Sequence, residues 1–131
     1  MQLFGSTTSP YVRRIRILLD EQPHEFVPVN IFAPADRVTF AEQNPTLKLP
    51  MLKDGKQVIF DSGVIFEYLA DKLKLQALTW DQKNLLSAID SANDSLVQMM
   101  ILSRSGIDIH QDVMYFNVQR ERCEKVFAYL D

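Results

Sequence analysis

Hydrophobic residues follow two different spacings along this 131-residue sequence, and the change comes near residue 80. Before it, short runs of strand-forming residues alternate with turn residues and with short apolar stripes at helical spacing. From Asp81 onward, apolar residues recur every three or four positions over long stretches. The sequence therefore predicts two parts, a mixed α/β domain over residues 1–75 and an all-helical region over residues 80–131.

The α/β part is predicted to begin with strand, helix and strand. Residues 1–5 are rich in strand formers, and the turn residues after them lead to Pro10, since proline is favoured at the first position of a helix. Ser9 can cap that helix because its hydroxyl can accept a hydrogen bond from a free amide. Residues 26–31 are predicted to form a second strand, which Pro28 confines to a sheet edge or a bulge. Residues 34–42 could hold a short helix, but their apolar pattern is weak and Asn44-Pro45 breaks it, so an irregular and mobile segment is expected.

A hairpin and another helix are predicted to complete this part. The dipeptide Asp54-Gly55 is a strong hairpin signal, and candidate strands flank it at residues 50–53 and 56–60. Asp61 and Ser62 can cap the helix that follows. The order βαβ-ββα predicts a mixed four-stranded sheet. The apolar residues expected to share one face of the last helix are Val64, Ile65, Tyr68 and Leu69.

Two long helices are predicted in the second part. The first runs from Asp81 to a stop before Ser105-Gly106, and the second begins at about Asp112. Arg120 occupies a position in the second helix where the spacing calls for an apolar residue. The predicted apolar stripes are Leu85, Ile89, Ala92, Leu96 and Met99 in the first helix, and Val113, Phe116, Cys123, Phe127 and Leu130 in the second.

Composition and charge argue against several classes of function. The net charge of −3 does not provide the basic field that non-specific nucleic-acid binding uses, and no run approaches the roughly 20 apolar residues that span a bilayer. The first residues lack a secretory signal pattern, so a cytoplasmic location is expected. Cys123 is the one cysteine, and His24 and His110 lie far apart, so neither a disulfide nor a metal site is expected. Cys123 is interpreted as an ordinary small apolar residue.

Three separate segments carry groups that suit a small acidic peptide. Ser9, at a turn from strand to helix, can donate to a thiolate, or it can serve only as the helix cap. At Leu49-Pro50 a cis bond would turn the Leu49 backbone outward, although the residues alone favour trans. At Asp61-Ser62, the serine hydroxyl and the helix amides can hold a carboxylate while Asp61 attracts an amine, or the pair can be a cap alone.

Together these segments make the sequence resemble the glutathione transferase superfamily. The resemblance is carried by STTSPYVRRIRILLDE, NPTLKLPMLKDG and IFDSGVIFEYLADKL, in the family's order and spacing, and it covers about the first 75 residues. It implies a thioredoxin-like fold for the α/β domain, with glutathione as co-substrate and no metal. It also implies that Ser9 faces the glutathione sulfur, with Thr7 or Thr8 as alternatives, and that Leu49-Pro50 is cis.

The resemblance implies further contacts with glutathione. Lys48, Leu49 and Pro50 would lie along the peptide, and Asp61 and Ser62 would hold the γ-glutamyl group. Within a two-fold homodimer, Asp94 of the long helix would reach the glutathione amine of the other subunit. Alternatively, Asp94 is an ordinary charged residue on the solvent-exposed side of the helix.

Two functions follow as hypotheses. In the first, the protein is a glutathione transferase that stabilises the thiolate for attack on a small electrophile or a peroxide. In the second, it is a non-catalytic dimerisation or interaction module with the same fold. The helical part contains fewer helices than the family normally has, which implies either a truncated sequence or a shortened relative of doubtful activity.

Overall fold

The computed structural model describes all 131 residues and divides into two compact units, Met1–Gln76 and Ala77–Asp131. The first unit holds the strands and the shorter helices, and the second holds two long helices. In chain order the elements are β1 (Gln2–Gly5), α1 (Pro10–Leu18), β2 (Glu25–Pro28), α2 (Pro34–Ala41), β3 (Met51–Asp54), β4 (Gln57–Phe60), α3 (Ser62–Lys72), α4 (Trp80–Arg104) and α5 (Met114–Leu130).

The four strands form one mixed sheet in the order β2-β1-β3-β4. Strand β2 is parallel to β1, whereas β3 is antiparallel to both β1 and β4. The parallel pair needs a crossover, and α1 supplies it. The predicted mixed four-stranded sheet is therefore confirmed, and so is the position of the Pro28-containing strand at a sheet edge.

The core of this unit lies between the sheet and the helices α1 and α3. One close approach fixes the position of α1, because a Cβ built on Gly5 at the end of β1 would lie 2.6 Å from Cγ1 of Val12. Only glycine gives the backbone of β1 room against that helix. The buried core residues are Leu3, Val12, Ile15, Leu19, Leu52, Ile59, Ile65 and Leu69.

Three local predictions in this unit were wrong in detail. Residues 34–41 form a regular helix, because Pro34 suits its first turn and Phe40, 5% exposed, anchors it although its apolar stripe is weak. The two-residue hairpin loop is Gly55-Lys56, since Asp54 pairs with Gln57, and Gly55 supplies the positive φ of 58°. Val64 is half exposed and does not share the buried face of α3.

A charged cluster ties the hairpin to α3. The Tyr68 hydroxyl donates to Oδ2 of Asp54 over 2.7 Å, and the Lys72 ammonium donates to the same oxygen. These hydrogen bonds, first that from Lys72 and then that from Tyr68, hold the pKa of the Asp54 carboxyl below its ordinary value. The same carboxylate raises the pKa of both Lys72 and Tyr68. The cluster fixes the C-terminal half of α3 against the turn end of the sheet.

The second unit is an antiparallel pair of helices, and a capping box begins the first of them. The Gln82 amide donates to the Thr79 hydroxyl, and the Gln82 side chain accepts from the Thr79 amide over 2.9 Å. The seam between the helices is partly polar: Ser95 is 1% exposed, and its hydroxyl accepts from Arg122, which also donates to Gln119. The sequence spacing gave no sign of this polar seam.

The predicted apolar stripes of the second unit were therefore only partly right. Ala92 and Phe116 are buried, but Leu85 and Leu96 of α4 are exposed because small residues, not leucines, form the contact with α5. Arg120 has a local explanation. Its guanidinium donates to the carbonyls of Ile109 and Gln111, which anchors the connection between the helices.

Candidate functional site

The sheet register brings the three predicted segments to one end of the first unit. Phe4 of β1 pairs with Met51 of β3, and Met51 pairs with Phe60 of β4, so the three residues form one row across the sheet. The Ser9 turn follows this row on β1, Leu49-Pro50 precedes it on β3, and the Asp61-Ser62 pair follows it on β4. Residues more than fifty positions apart in sequence thus lie at the same end of the sheet, which is called the site edge below.

Ser9 is the N-cap of α1. Its Oγ accepts a hydrogen bond from the Val12 amide over 3.3 Å, and its backbone is extended, as a cap requires. A hydroxyl that accepts in this way keeps its own proton for donation. The capping role and donation to a thiolate, which the sequence left as alternatives, are therefore compatible in one side chain.

The two alternatives to Ser9 lie in the same turn. The hydroxyl of Thr8 is hydrogen-bonded to that of Ser6 over 2.9 Å. Thr7 is exposed at the tip of the turn. Neither threonine caps the helix, so Ser9 is the hydroxyl held directly at the helix N-terminus, where the backbone dipoles favour negative charge.

The segment before β3 contains the cis Leu49-Pro50 bond that the family resemblance implied. Leu49 lies outside the four strands and is half buried, whereas the Lys48 side chain is exposed. Sequence reasoning missed the residue that orders this loop. Asn44 is fully buried, and its side chain donates to the Lys48 carbonyl over 2.9 Å and accepts from the amide and hydroxyl of Thr46.

Asp61 and Ser62 form the start of α3. Asp61 has φ of 75° and ψ of 129°, a strained conformation for a residue with a side chain, and such strain is typical of functional sites. Its Oδ1 accepts from the amides of Gly63 and Val64 over 2.8 and 3.3 Å. Because Asp61 accepts from these two amides, the hydroxyl and amide of Ser62 are the α3 donors through which the pair would hold a carboxylate, and that role stays a prediction.

Ser62 and Arg14 bring a hydroxyl and a cation together beside this cap. Ser62 is 5% exposed, and its Oγ accepts from Nη2 of Arg14. Its amide is at the first helical position, where no acceptor exists within the helix. The Arg14 guanidinium also lies over the Tyr11 ring, 5.8 Å from its centroid. The sequence analysis gave Arg14 no role.

Arg14 also connects two parts of the site. It belongs to α1, the helix that Ser9 caps, and its side chain reaches the first residue of α3. The spacing of five residues from Ser9 to Arg14 spans more than one helical turn, about 7.5 Å along the axis. A cation and two hydroxyls are therefore distributed along the site edge, as an elongated anionic ligand requires.

Asp94, the remaining predicted site residue, lies in α4 of the second unit and is exposed. The structure does not bring it together with the other predicted residues within one unit. No group of three or more His, Cys, Asp or Glu side chains could hold a metal ion, and none of the helices combines the length and apolar content needed to cross a membrane.

Comparison with known sequences identifies the family to which the first unit is similar. The model of the family described as Glutathione S-transferase, N-terminal domain, matches residues 3–75. The Arabidopsis thaliana protein named Glutathione S-transferase F13 is 39% identical over 75 residues, which are 55% of this chain and 34% of that protein. The chain thus spans about a third of the length of this curated relative.

Solved structures resemble the chain over nearly all its length. A glutathione S-transferase from Methylobacterium radiotolerans, in complex with glutathione sulfonate, has a TM-score of 0.83 and 25% identity, covering 98% of this chain and 64% of the other. A glutathione transferase family member from Pseudomonas fluorescens with bound glutathione has a TM-score of 0.81 and 23% identity, covering 98% and 69%. At the lower identity the likeness shows the fold alone.

These likenesses confirm the predicted fold class, an α/β thioredoxin-like domain followed by an all-α region of two long helices. The family model covers more than half of the 131 residues, and it contains the Ser9 turn, the Leu49-Pro50 entry to β3 and the Asp61-Ser62 start of α3. The chain belongs to the glutathione transferase superfamily, through its N-terminal domain.

Proposed function

We propose that this protein is a glutathione transferase that binds glutathione along the site edge formed by Ser9, Leu49 and Ser62, and stabilises its thiolate for attack on a small electrophile or a peroxide. The observation that supports this most is the row of Phe4, Met51 and Phe60, which places the three segments side by side. The solved neighbours with bound glutathione or glutathione sulfonate support the ligand class.

The thiol end of glutathione is assigned to Ser9. Lowering a thiol pKa of about 8.5 by two units needs about 2.7 kcal/mol of differential stabilisation. A hydrogen bond to a charged group contributes about 1.5–3 kcal/mol, and the end of a helix adds about 0.3–1 kcal/mol. The Ser9 hydroxyl at the start of α1 can therefore supply the shift without a general base.

The γ-glutamyl end is assigned to Arg14, Ser62 and Asp61. The Arg14 guanidinium is the charge that would attract the carboxylate, and the Ser62 hydroxyl and amide would donate to it. One oxygen of Asp61 caps α3, which leaves the other to accept from the ligand amine. A zwitterionic amino-acid head carries both charges and fits this pair better than a phosphate does.

The middle of the peptide is assigned to the segment 48–50. Leu49 lies just before β3 and outside the strand pairing, so its amide and carbonyl can pair with an extended ligand as one more strand would. Asn44 fixes the path of this loop through the Lys48 carbonyl. Lys48, whose side chain is exposed, extends the proposed contact surface, whereas Pro50 is fully buried and presents almost no side-chain surface to a ligand.

Calorimetric titration with glutathione tests the binding site. Arg14→Met and Ser62→Ala are each expected to weaken binding about ten- to hundredfold, because each removes a hydrogen bond to the ligand carboxylate. Arg13→Met is the matched control, since Arg13 is exposed and lies immediately before Arg14 in the same helix. Equal affinity of Arg14→Met, Ser62→Ala and the parent would reject this assignment.

Steady-state kinetics with a generic electrophile separate the two ends of the site. Ser62→Ala should raise the Michaelis constant for glutathione with turnover nearly unchanged, because carboxylate binding is equal in ground state and transition state. Ser9→Ala should lower turnover and raise the pKa of the bound thiol, because its bond strengthens as the sulfur ionises. Ser87→Ala, an exposed serine of α4, serves as the control.

A second candidate function is a non-catalytic interaction module, and the exposed apolar surface of the second unit favours it. Met114 and Trp80 are 82% and 78% exposed, and Leu96 and Met100 are exposed on α4. Leu96 and Met100 are four residues apart and so lie on the same face of α4, and a contiguous exposed apolar face marks an association surface. Binding of glutathione by the parent distinguishes the functions, since the module needs none.

Either function is compatible with a two-fold homodimer through α4, in which Asp94 would contact the glutathione amine of the partner. Light scattering should give the mass of two chains, and Leu96→Asp should shift it toward one. Ile17→Asp is the control, because Ile17 is equally apolar and 71% exposed but lies on α1 of the first unit. The mass of a single chain for the parent would reject the dimer.

A further inference from the structure

We propose that Ser6 is a positioning residue, which through its hydrogen bonds to Thr8 and Ser9 holds the turn in the conformation that presents the Ser9 hydroxyl to the sulfur. This inference rests on the proposed function and deepens it. The turn 6–9 contains four hydroxyl residues in succession, and a site for one thiolate needs a means of presenting one of them. The hydrogen bonds of the turn supply that means.

Both ends of the turn are fixed by Val12. The Val12 side chain lies so close to the backbone of Gly5 that only glycine fits, and the Gly5 carbonyl accepts from the Val29 amide over 2.9 Å. At the other end the Val12 amide donates to the Ser9 hydroxyl over 3.3 Å. The turn between these ends contains the two threonines, and other contacts must hold its conformation.

Ser6 restrains this turn with its backbone and its side chain. Its carbonyl accepts from the Ser9 amide over 3.2 Å, which closes a β-turn. Its hydroxyl is bonded to the Thr8 hydroxyl over 2.9 Å and accepts weakly from the Thr8 amide over 3.4 Å. The side chain of Ser6 therefore engages Thr8, while its backbone holds Ser9.

Removal of the Ser6 hydroxyl separates these two roles. Ser6→Ala keeps the β-turn hydrogen bond of the backbone but removes the side-chain bond to Thr8, so the turn that carries Ser9 is held less firmly in place. The loss of one neutral hydrogen bond corresponds to about a two- to tenfold change in rate if its whole effect falls on the positioning of Ser9. Glutathione affinity should change little, because the carboxylate contacts are elsewhere.

The experiment measures glutathione affinity by calorimetry, turnover with a generic electrophile, and the pKa of the bound thiol from its ultraviolet absorbance. Ser6→Ala and Thr8→Val remove the same hydrogen bond from opposite sides, so each should lower turnover two- to tenfold and raise the thiol pKa. The double variant should be no worse than either single variant, because both act on one bond. Ser6→Thr, which retains a hydroxyl, should restore the parent values.

The outcomes distinguish this inference from the proposed function. Failure of the parent to bind glutathione overturns the proposed function and this inference with it. Binding by the parent, with Ser6→Ala and Thr8→Val unchanged in turnover and thiol pKa, overturns this inference alone. A change in glutathione affinity equal to the loss of turnover also overturns it, since that would be general damage to the site. Circular dichroism verifies folding, and Thr8→Val decides the question if Ser6→Ala does not fold.

Discussion

Gly5→Ala should destabilise the first unit, and the structure gives the size of the effect. The new Cβ would lie 2.6 and 2.8 Å from the two γ-carbons of Val12, about 1 Å closer than carbon atoms normally approach. Forcing an extra methyl group into a packed core costs about 1–3 kcal/mol. Both clashing atoms belong to one side chain held between sheet and helix, so little relaxation is available. The free energy of unfolding should fall by about 2 kcal/mol.

Urea unfolding followed by circular dichroism measures this change, and a double-mutant cycle tests its cause. Val12→Ala alone should cost about 2 kcal/mol, because it removes two buried methyl groups and leaves a cavity. In Gly5→Ala/Val12→Ala, however, the added methyl group occupies part of that cavity, so the double variant should be more stable than the sum of the two losses predicts, by about 1–2 kcal/mol.

Gly63→Ala is the control for a glycine replaced in the same unit. Its Cβ would approach only Oδ1 of Asp61, at 3.1 Å, and alanine is the better helix former. Its unfolding free energy should stay within about 1 kcal/mol of the parent value. Equal stability of Gly5→Ala and the parent, or strictly additive losses in the cycle, would refute the steric argument.

Three further predictions concern groups that hold other parts of the fold. The pKa of Asp54 is lowered in the folded protein, so its contribution to stability is present above its ordinary value of 3.8 and is lost as the pH falls through the lower folded value. Urea unfolding across the acid range should therefore show a smaller pH dependence for Asp54→Asn, which removes the titrating carboxylate beside Lys72. Thr79→Ala breaks the capping box with Gln82 and should cost the second unit about 1 kcal/mol, measured by thermal unfolding; no change would show that the cap is not needed. Asn44→Ala should cost about 1–3 kcal/mol because it leaves buried backbone groups unpaired, and calorimetry should show weaker glutathione binding; unchanged values in both would contradict its role in the loop.

Local sequence signals determined much of the fold. Ser9-Pro10 specified the start of α1, because the cap and the fixed proline φ both act within one turn. The glycine of Asp54-Gly55 specified the hairpin, although the loop lies one residue later than the dipeptide suggested. Continuous helical spacing specified α4 and α5. Each of these signals depends on residues only a few positions apart.

The candidate site was predicted in part. The sequence predicted its three segments, and the family resemblance implied the cis bond at Leu49-Pro50 that the structure contains. The roles of Ser9 and Ser62 toward glutathione stay predictions. Asn44 was interpreted only as part of a helix-breaking Asn-Pro dipeptide, because nothing in the local sequence indicates that its side chain is buried.

Only the tertiary structure decided the contacts between distant residues. Arg14 meets Ser62 across 48 positions, Asp54 meets Tyr68 and Lys72, and the polar Ser95 forms the seam of the second unit. Nothing in the spacing of one helix specifies which side chain of another will face it. That choice follows from strand register, here the row that joins β1, β3 and β4, and from the close packing of helices on the sheet. The sequence by itself therefore determined the elements and their local ends, whereas packing over long distances determined which groups meet at the site.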